Sequence, residues 1–238
     1  MNPALAGLAC VVVVGAVVAV GARETRAALL GLLVALLGSA FLADPLPSPL
    51  SISARLVAAL LGCRLIAIAI RGETGGTEGS RLGWPVDALL AAAAAVIGFG
   101  THGLGAPGSG PPEAQAAGFA VGILAAAPLV TGRDVFRLSI GAVLVVLAGL
   151  LVRAGLSGTP GELEQLVTSG LIAGLGGAIG VVVMGARAAG QSLIVAEVRG
   201  RAVDPVTTIH LREPREPLED RVRGAHPLAT PPEATGRR

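Results

Sequence analysis

Seven long apolar segments, separated by short polar linkers, constrain the fold of this chain more than any other feature of its sequence. A helix needs about 20 residues, at about 1.5 Å each, to cross a hydrocarbon core about 30 Å thick. Backbone groups in lipid must be satisfied by helices or closed barrels, and the sequence lacks the alternating pattern of a membrane barrel. We therefore predict an all-α, polytopic transmembrane helix bundle of about seven helices, spanning roughly 3–22, 26–43, 52–70, 84–103, 114–132, 137–155 and 165–187.

The composition agrees with this class of protein. Of the 238 residues, 53% are hydrophobic and only 14% are charged, whereas about a quarter are charged in a typical soluble domain. The formal net charge of +2 is too small to indicate a nucleic-acid partner. The first apolar segment has no basic residues before it and is longer than the core of a signal peptide, so we interpret it as a retained membrane helix.

The arginines predict the orientation of the bundle, because cytoplasmic loops are enriched in basic residues. Linkers after the first, third and fifth segments contain or are flanked by arginine, and so does the chain after the seventh segment. The three other linkers contain none. The sequence thus predicts a multi-pass protein of the cell membrane with its N-terminus outside and its C-terminus in the cytoplasm. The arginines that carry this prediction are Arg23, Arg26, Arg71, Arg81, Arg133, Arg137, Arg187, Arg199, Arg201 and Arg212.

Two domains follow from the change in composition near residue 187. Residues 1–187 form the transmembrane bundle, and residues 188–238 form a cytoplasmic tail that mixes both charge signs with several prolines. Such a composition cannot bury enough apolar surface to fold alone. We expect the tail to be largely disordered and to offer a docking segment for a cytoplasmic partner.

Arg64 lies deep inside the third apolar segment, where a charge is costly. On insertion scales a central arginine costs about 2.5–3.5 kcal/mol. Three interpretations remain open: the side chain extends to the membrane surface and packs on helix backbones, it pairs with Asp87 of the fourth segment, or it binds an anion or lipid headgroup. The pairing assumes that the third and fourth segments pack as an antiparallel hairpin. Arg55, nearer the outer end of the same segment, is expected to extend to the surface.

Glycines at four-residue spacing predict close helix packing. Small residues at this step let two helix backbones approach each other. They occur in the fifth and seventh segments, and the packing they predict lies either within the bundle or against another subunit. The residues concerned are Gly118, Gly122, Gly170, Gly174 and Gly177.

No motif for catalysis, metal binding or cofactor binding occurs in the sequence. Its two cysteines lie in apolar segments and its three histidines are scattered, without the spacing of a metal site. The glycine-rich linker 72–80 lacks the lysine and the hydroxyl residue of a phosphate-binding loop. Glu162 and Glu164, near Arg153, indicate an exposed, ion-paired loop. We predict no catalytic activity, no cofactor and no metal.

Two stretches resemble small membrane-arm subunits of complex I-like enzymes, of hydrogenase-4-type membrane-bound hydrogenases and of multisubunit antiporters. "ARETRAALLGLLVALLGSAFL" (22–42) is similar to the opening of the J-type subunit. "RDVFRLSIGAVLVVLAGLLVRAGL" with "ELEQLVTSGLIAGLGGAIGVVV" (133–183) resembles the paired helices of K-type or E-type subunits. The resemblance implies other membrane subunits as partners. The K-type family carries membrane-embedded glutamates in its proton path. Here the only glutamates of the matching helices lie near the outer loop, which implies a scaffold role.

These observations favour a non-catalytic accessory or scaffold subunit of a larger membrane complex, in contact with the lipid bilayer and other membrane subunits. Moving protons or cations needs titratable groups near mid-depth, and the apolar segments carry no Lys, Glu or His there. The alternative is a small-solute transporter or exporter. In that case Pro128 and the glycines of the seventh segment would interrupt helices around a site at the membrane midplane.

Overall fold

The chain is all-helical in the part described by the computed structural model, residues 2–70, 83–102, 104, 110–132 and 135–188. This confirms the predicted fold class, and every helix end lies within three residues of its predicted position. Apart from Ala188, the predicted tail lies outside the described residues. The helices are α1 (Pro3–Gly21), α2 (Thr25–Ala40), α3 (Pro49–Ile70), α4 (Trp84–Gly100), α5 (Pro112–Thr131), α6 (Val135–Ser157) and α7 (Glu162–Ala188).

Five of these helices, α1, α3, α5, α6 and α7, are long and apolar enough to cross a membrane. The other two, α2 and α4, are apolar but shorter, with 16 and 17 residues. The chain is therefore a membrane-spanning, multi-pass helical protein. Its orientation in the membrane stays a prediction from the arginine pattern.

Helix starts follow from local chemistry. Asn2 caps α1, its side-chain oxygen accepting a hydrogen bond of 3.1 Å from the Ala4 N–H. Proline occupies the first turn of α1, α4 and α5, where its missing N–H costs no helical hydrogen bond. The residue before α4, Gly83, has a φ of 84°, a conformation that glycine adopts without strain.

The core of the bundle is the antiparallel pair α5–α6. More than half of the residues in each membrane span of this pair are buried, compared with 28% in α1, α3 and α7. Helix α4 packs against α5, and the α1–α2 pair packs on the same core mainly through α1. Fully buried side chains at this centre include Leu124, Ile140, Leu144 and Leu147.

Helices α3 and α7 form a second pair that joins the rest of the bundle through α2 and α6. The two helices approach closely at Gly62 and Gly176, where a Cβ on Gly176 would lie 2.7 Å from the Gly62 Cα. Real Cβ atoms do not approach carbon so closely, so this crossing requires glycine.

A comparable crossing joins α1 and α2. A Cβ on Gly31 would lie 2.6 Å from both the Gly15 carbonyl oxygen and the Ala19 backbone nitrogen. A Cβ on Gly15 would in turn lie 2.8 Å from the Gly31 oxygen. Small residues four apart on both helices, Gly15 with Ala19 and Gly31 with Ala35, let the two backbones touch.

Candidate functional site

Arg64 and Asp87 lie in different environments, and no ion pair joins them. Arg64 is exposed on α3. Asp87, in the first turn of α4, is 1% exposed, and its buried Oδ2 has no hydrogen-bond partner. The physical reason is the packing, since the main neighbours of α3 are α7 and α2, whereas those of α4 are α5 and α1. Although α3 and α4 are adjacent in sequence, they are not main packing partners, unlike the hairpin that the predicted pair assumed.

The Arg64 side chain belongs to an exposed apolar stripe of α3. Positions three, four and seven residues apart share one face of a helix, so Val57, Leu60, Leu61 and Ile68 flank the arginine. All four are exposed, with Val57 at 62% and Leu60 at 54%. Arg64 is six residues from the end of α3 at Ile70, or about 9 Å along the helix axis. A charge therefore lies on a surface otherwise suited to lipid or to another apolar helix.

Arg55 turns inward rather than out to the membrane surface, contrary to expectation. Its Nη2 donates a hydrogen bond of 3.4 Å to Ser39 Oγ on α2, and its Nε is buried with no hydrogen-bond partner. The side chain lines a small cavity together with Gln165 and Thr168 of α7. A small pocket that contains four polar side chains among mostly apolar ones thus lies where α2, α3, α6 and α7 meet.

Arg137, interpreted from the sequence as a loop residue that marks the cytoplasmic side, is buried and only 6% exposed. It lies in the first turn of α6. Its guanidinium donates to the carbonyl oxygens of Val20 and Ala22 at the end of α1, the latter at 2.6 Å. Carbonyls at a helix C-terminus lack helical partners and carry partial negative charge, so a cation is favourable there.

A second polar group, which sequence reasoning missed, connects the end of α4 to the start of α5. His102 Nδ1 lies 2.8 Å from Gln115 Oε1, and Gln115 Nε2 donates to Thr101 Oγ1 at 3.3 Å. Gln115 is 3% exposed, and Glu113 nearby in sequence is 4% exposed with an unpartnered Oε1. The signal available in the sequence was two polar side chains in the first turn of an otherwise apolar helix.

The predicted packing glycines differ in their surroundings. A Cβ on Gly118 would lie 2.8 Å from the Val152 backbone nitrogen, so α5 and α6 touch there. Gly122 and Gly177 have ordinary contacts, 3.6 Å to Ala148 and 3.8 Å to Leu65.

Gly170 and Gly174 face open space, with nothing within 4 Å of an added Cβ. The tightest glycine of α7 is instead Gly176. Gly170 and Gly174, unlike Gly177, are therefore not packed against another helix within the described part of the chain.

The expected ion pair near the end of α6 is confirmed. Arg153 and Glu164 lie 2.9 Å apart with both side chains partly exposed, and no other ion pair joins described residues. Within residues 2–188, as far as they are described, no group of three His, Cys, Asp or Glu side chains is placed to hold a metal ion. The polar groups are thus separate from one another and do not converge on one reaction centre in this part of the chain.

Comparison with protein-family models, with curated proteins and with solved structures finds no match to this chain.

Proposed function

We propose that this protein is a non-catalytic subunit of a larger complex in the cell membrane, which it supports through helix–helix contacts within the bilayer. In this account the N-terminus faces outward and the C-terminus faces the cytoplasm, as the arginine pattern predicts.

The observation that carries the proposal is Arg64. A guanidinium keeps its charge under all ordinary conditions, so it cannot escape an apolar surface by losing a proton. Charged side chains in membrane helices normally pair with one another or with a backbone carbonyl. Arg64 is exposed, and Asp87, its predicted partner, is buried elsewhere. A carboxylate on a membrane helix of another subunit, at the same depth, is the complement that this surface lacks.

The unpacked face of α7 also supports a role as a subunit of a complex. Gly170 and Gly174 would form a smooth surface for a neighbouring helix, and no described residue of this chain occupies it. Much of the apolar surface of α3 and α7 is exposed as well. These faces give a partner room to pack against the helix pair that carries Arg64.

The transporter alternative requires that α5 and α7 be interrupted near the membrane midplane. Helix α5 continues through Pro128 to Thr131, and α7 continues unbroken from Glu162 to Ala188. The proline lies in the last turn of its helix, where the carbonyl of Pro128 still accepts from the Gly132 N–H at 2.9 Å. We therefore favour the subunit over the transporter.

Migration of the gently solubilised protein in native gels tests the proposal. The wild-type chain is expected in a complex well above its own mass. Arg64→Leu should release it from that complex, and the charge-conserving Arg64→Lys should retain it. A wild-type protein that migrates alone and moves solute across proteoliposome membranes would reverse the order of the two functions. A complex unaffected by Arg64→Leu would exclude Arg64 as the contact.

A further inference from the structure

The cavity beside Arg55 carries an inference that is independent of the proposed subunit role. It has a volume of about 20 Å³ and is largely enclosed. A cavity needs roughly 10–15 Å³ to hold one water-sized particle. Most of the residues lining it are apolar, among them Leu151 and Ala154. Four of them are polar: Ser39, Arg55, Gln165 and Thr168.

The positive charge of Arg55 has no counter-ion in this part of the molecule. None of the described residues lining the cavity is acidic, and the guanidinium has a single hydrogen bond, the long one to Ser39 Oγ. The Arg55 Nε is buried and unpartnered. Taking even part of a charged group out of water without a partner is expensive, so this partly buried guanidinium favours binding of a negative species.

The hydrogen bonds around the cavity favour a negatively charged ligand. Both hydroxyl protons are already committed to backbone carbonyls, that of Ser39 to Leu36 at 2.7 Å and that of Thr168 to Gln165 at 2.9 Å. One amide proton of Gln165 is likewise donated to the Pro160 carbonyl at 2.8 Å. The donors that remain are those of Arg55 and the second amide proton of Gln165. A cation in the cavity would be repelled by the nearby positive charge of the Arg55 guanidinium.

We propose that this cavity binds a single monatomic anion of halide size, such as chloride, held by the Arg55 guanidinium and the Gln165 amide. The cavity has room for about one water molecule, and a halide ion is only slightly larger than water. Sulfate and phosphate are too large for this volume. The bound ion compensates the charge of Arg55 and ties α3 to α7. One water molecule in place of the ion is the competing occupant.

Thermal unfolding of the full-length protein in detergent tests the proposal, with sodium chloride replaced stepwise by sodium gluconate at constant ionic strength. A ligand that binds only the folded state raises the unfolding midpoint by an amount that grows with the logarithm of its concentration above its Kd, and that is about 3 °C at about ten times its Kd. The wild-type protein should show this rise with chloride and bromide but not with sulfate. Arg55→Gln should abolish it. Arg26→Gln, which removes an exposed arginine from α2, should leave it intact.

The wild-type titration decides the question even if Arg55→Gln fails to fold. Equal midpoints in chloride and gluconate would show that the cavity holds water only, and would overturn the proposal. A chloride effect that persists in Arg55→Gln, or that disappears in Arg26→Gln, would place the ion elsewhere and overturn the proposal equally. None of these outcomes depends on whether the chain assembles with other subunits.

Discussion

The guanidinium of Arg137, at the start of α6, donates a hydrogen bond of 2.6 Å to the carbonyl oxygen of Ala22, 115 residues earlier at the end of α1. It also donates to the carbonyl of Val20. One side chain thus satisfies two carbonyls that the end of α1 leaves without helical partners. The start of α6, in the central α5–α6 pair, is thereby fixed to the end of the first helix.

Replacing Arg137 by Met should destabilise the fold by about 2–4 kcal/mol, because it leaves two carbonyls without their charged donor. The free energy of unfolding can be followed by circular dichroism during SDS titration in mixed micelles. Arg26→Met is the control, since Arg26 is exposed and lies at the start of α2, close in sequence to the same end of α1. Equal losses for the two variants would mean that the contact with α1 contributes nothing specific.

The crossing of α1 and α2 makes a sharp prediction for Gly31. The Cβ of Gly31→Ala would lie 2.6 Å from two backbone atoms of α1, so the helices must separate, at a cost of about 1–3 kcal/mol. Gly7→Ala, at the exposed end of α1 with nothing within 4 Å of its Cβ, should be neutral or slightly stabilising. The same SDS titration measures both. A harmless Gly31→Ala would show that α1 and α2 do not touch as described.

Helix α7 offers a matched pair of glycines two residues apart. Gly176→Ala should weaken the α3–α7 pair by about 1–3 kcal/mol, because its Cβ would meet the Gly62 backbone. Gly174→Ala, which faces open space, should leave the isolated protein stable, with up to about 1 kcal/mol gained. If a partner helix packs on this face, Gly174→Ala should weaken the complex in native gels while leaving the monomer stable. A stability loss at Gly174 instead of Gly176 would mean that α7 is rotated from its described position.

The hydrogen bond between His102 and Gln115 should be detectable as an energetic coupling between the end of α4 and the start of α5. Gln115→Leu alone leaves the His102 and Thr101 side chains without their partner, and should cost about 1–3 kcal/mol. In a double-mutant cycle with His102→Leu, the two losses should add to more than the loss of the double variant. Strict additivity would show that the pair does not interact in the membrane protein.

Helix positions could be predicted from the sequence because the bilayer sets the length of each apolar segment. This is why α5 and α6 begin and end within two residues of expectation. Packing partners could not be predicted, because the helices are apolar around most of their circumference and periodicity does not reveal a buried face. The Arg64–Asp87 pair depended on α3 and α4 being packing partners, and α3 packs mainly on α7 instead.

The buried polar contacts could not be predicted from the sequence either. In the sequence, Arg137 and Arg55 look no different from the arginines of the linkers. Only the tertiary structure shows that Arg137 contacts α1 and Arg55 contacts α2, rather than marking the cytoplasmic side of the membrane. Gly31 and Gly176 follow the small-residue rule, but so do Gly170 and Gly174, which face open space. The spacing identifies glycines able to pack and does not say which of them do.

The most direct test of the account is the sidedness of α2, the shortest helix, whose 16 residues span only about 24 Å. Single cysteines replacing the exposed Glu24 and Asp44, at its two ends, are introduced after Cys10 and Cys63 are changed to alanine. A membrane-impermeant maleimide added to intact cells should label Asp44→Cys and leave Glu24→Cys unlabelled until the cells are opened. Labelling of both positions from outside, or of Glu24→Cys alone, would contradict the threading on which the proposed function depends.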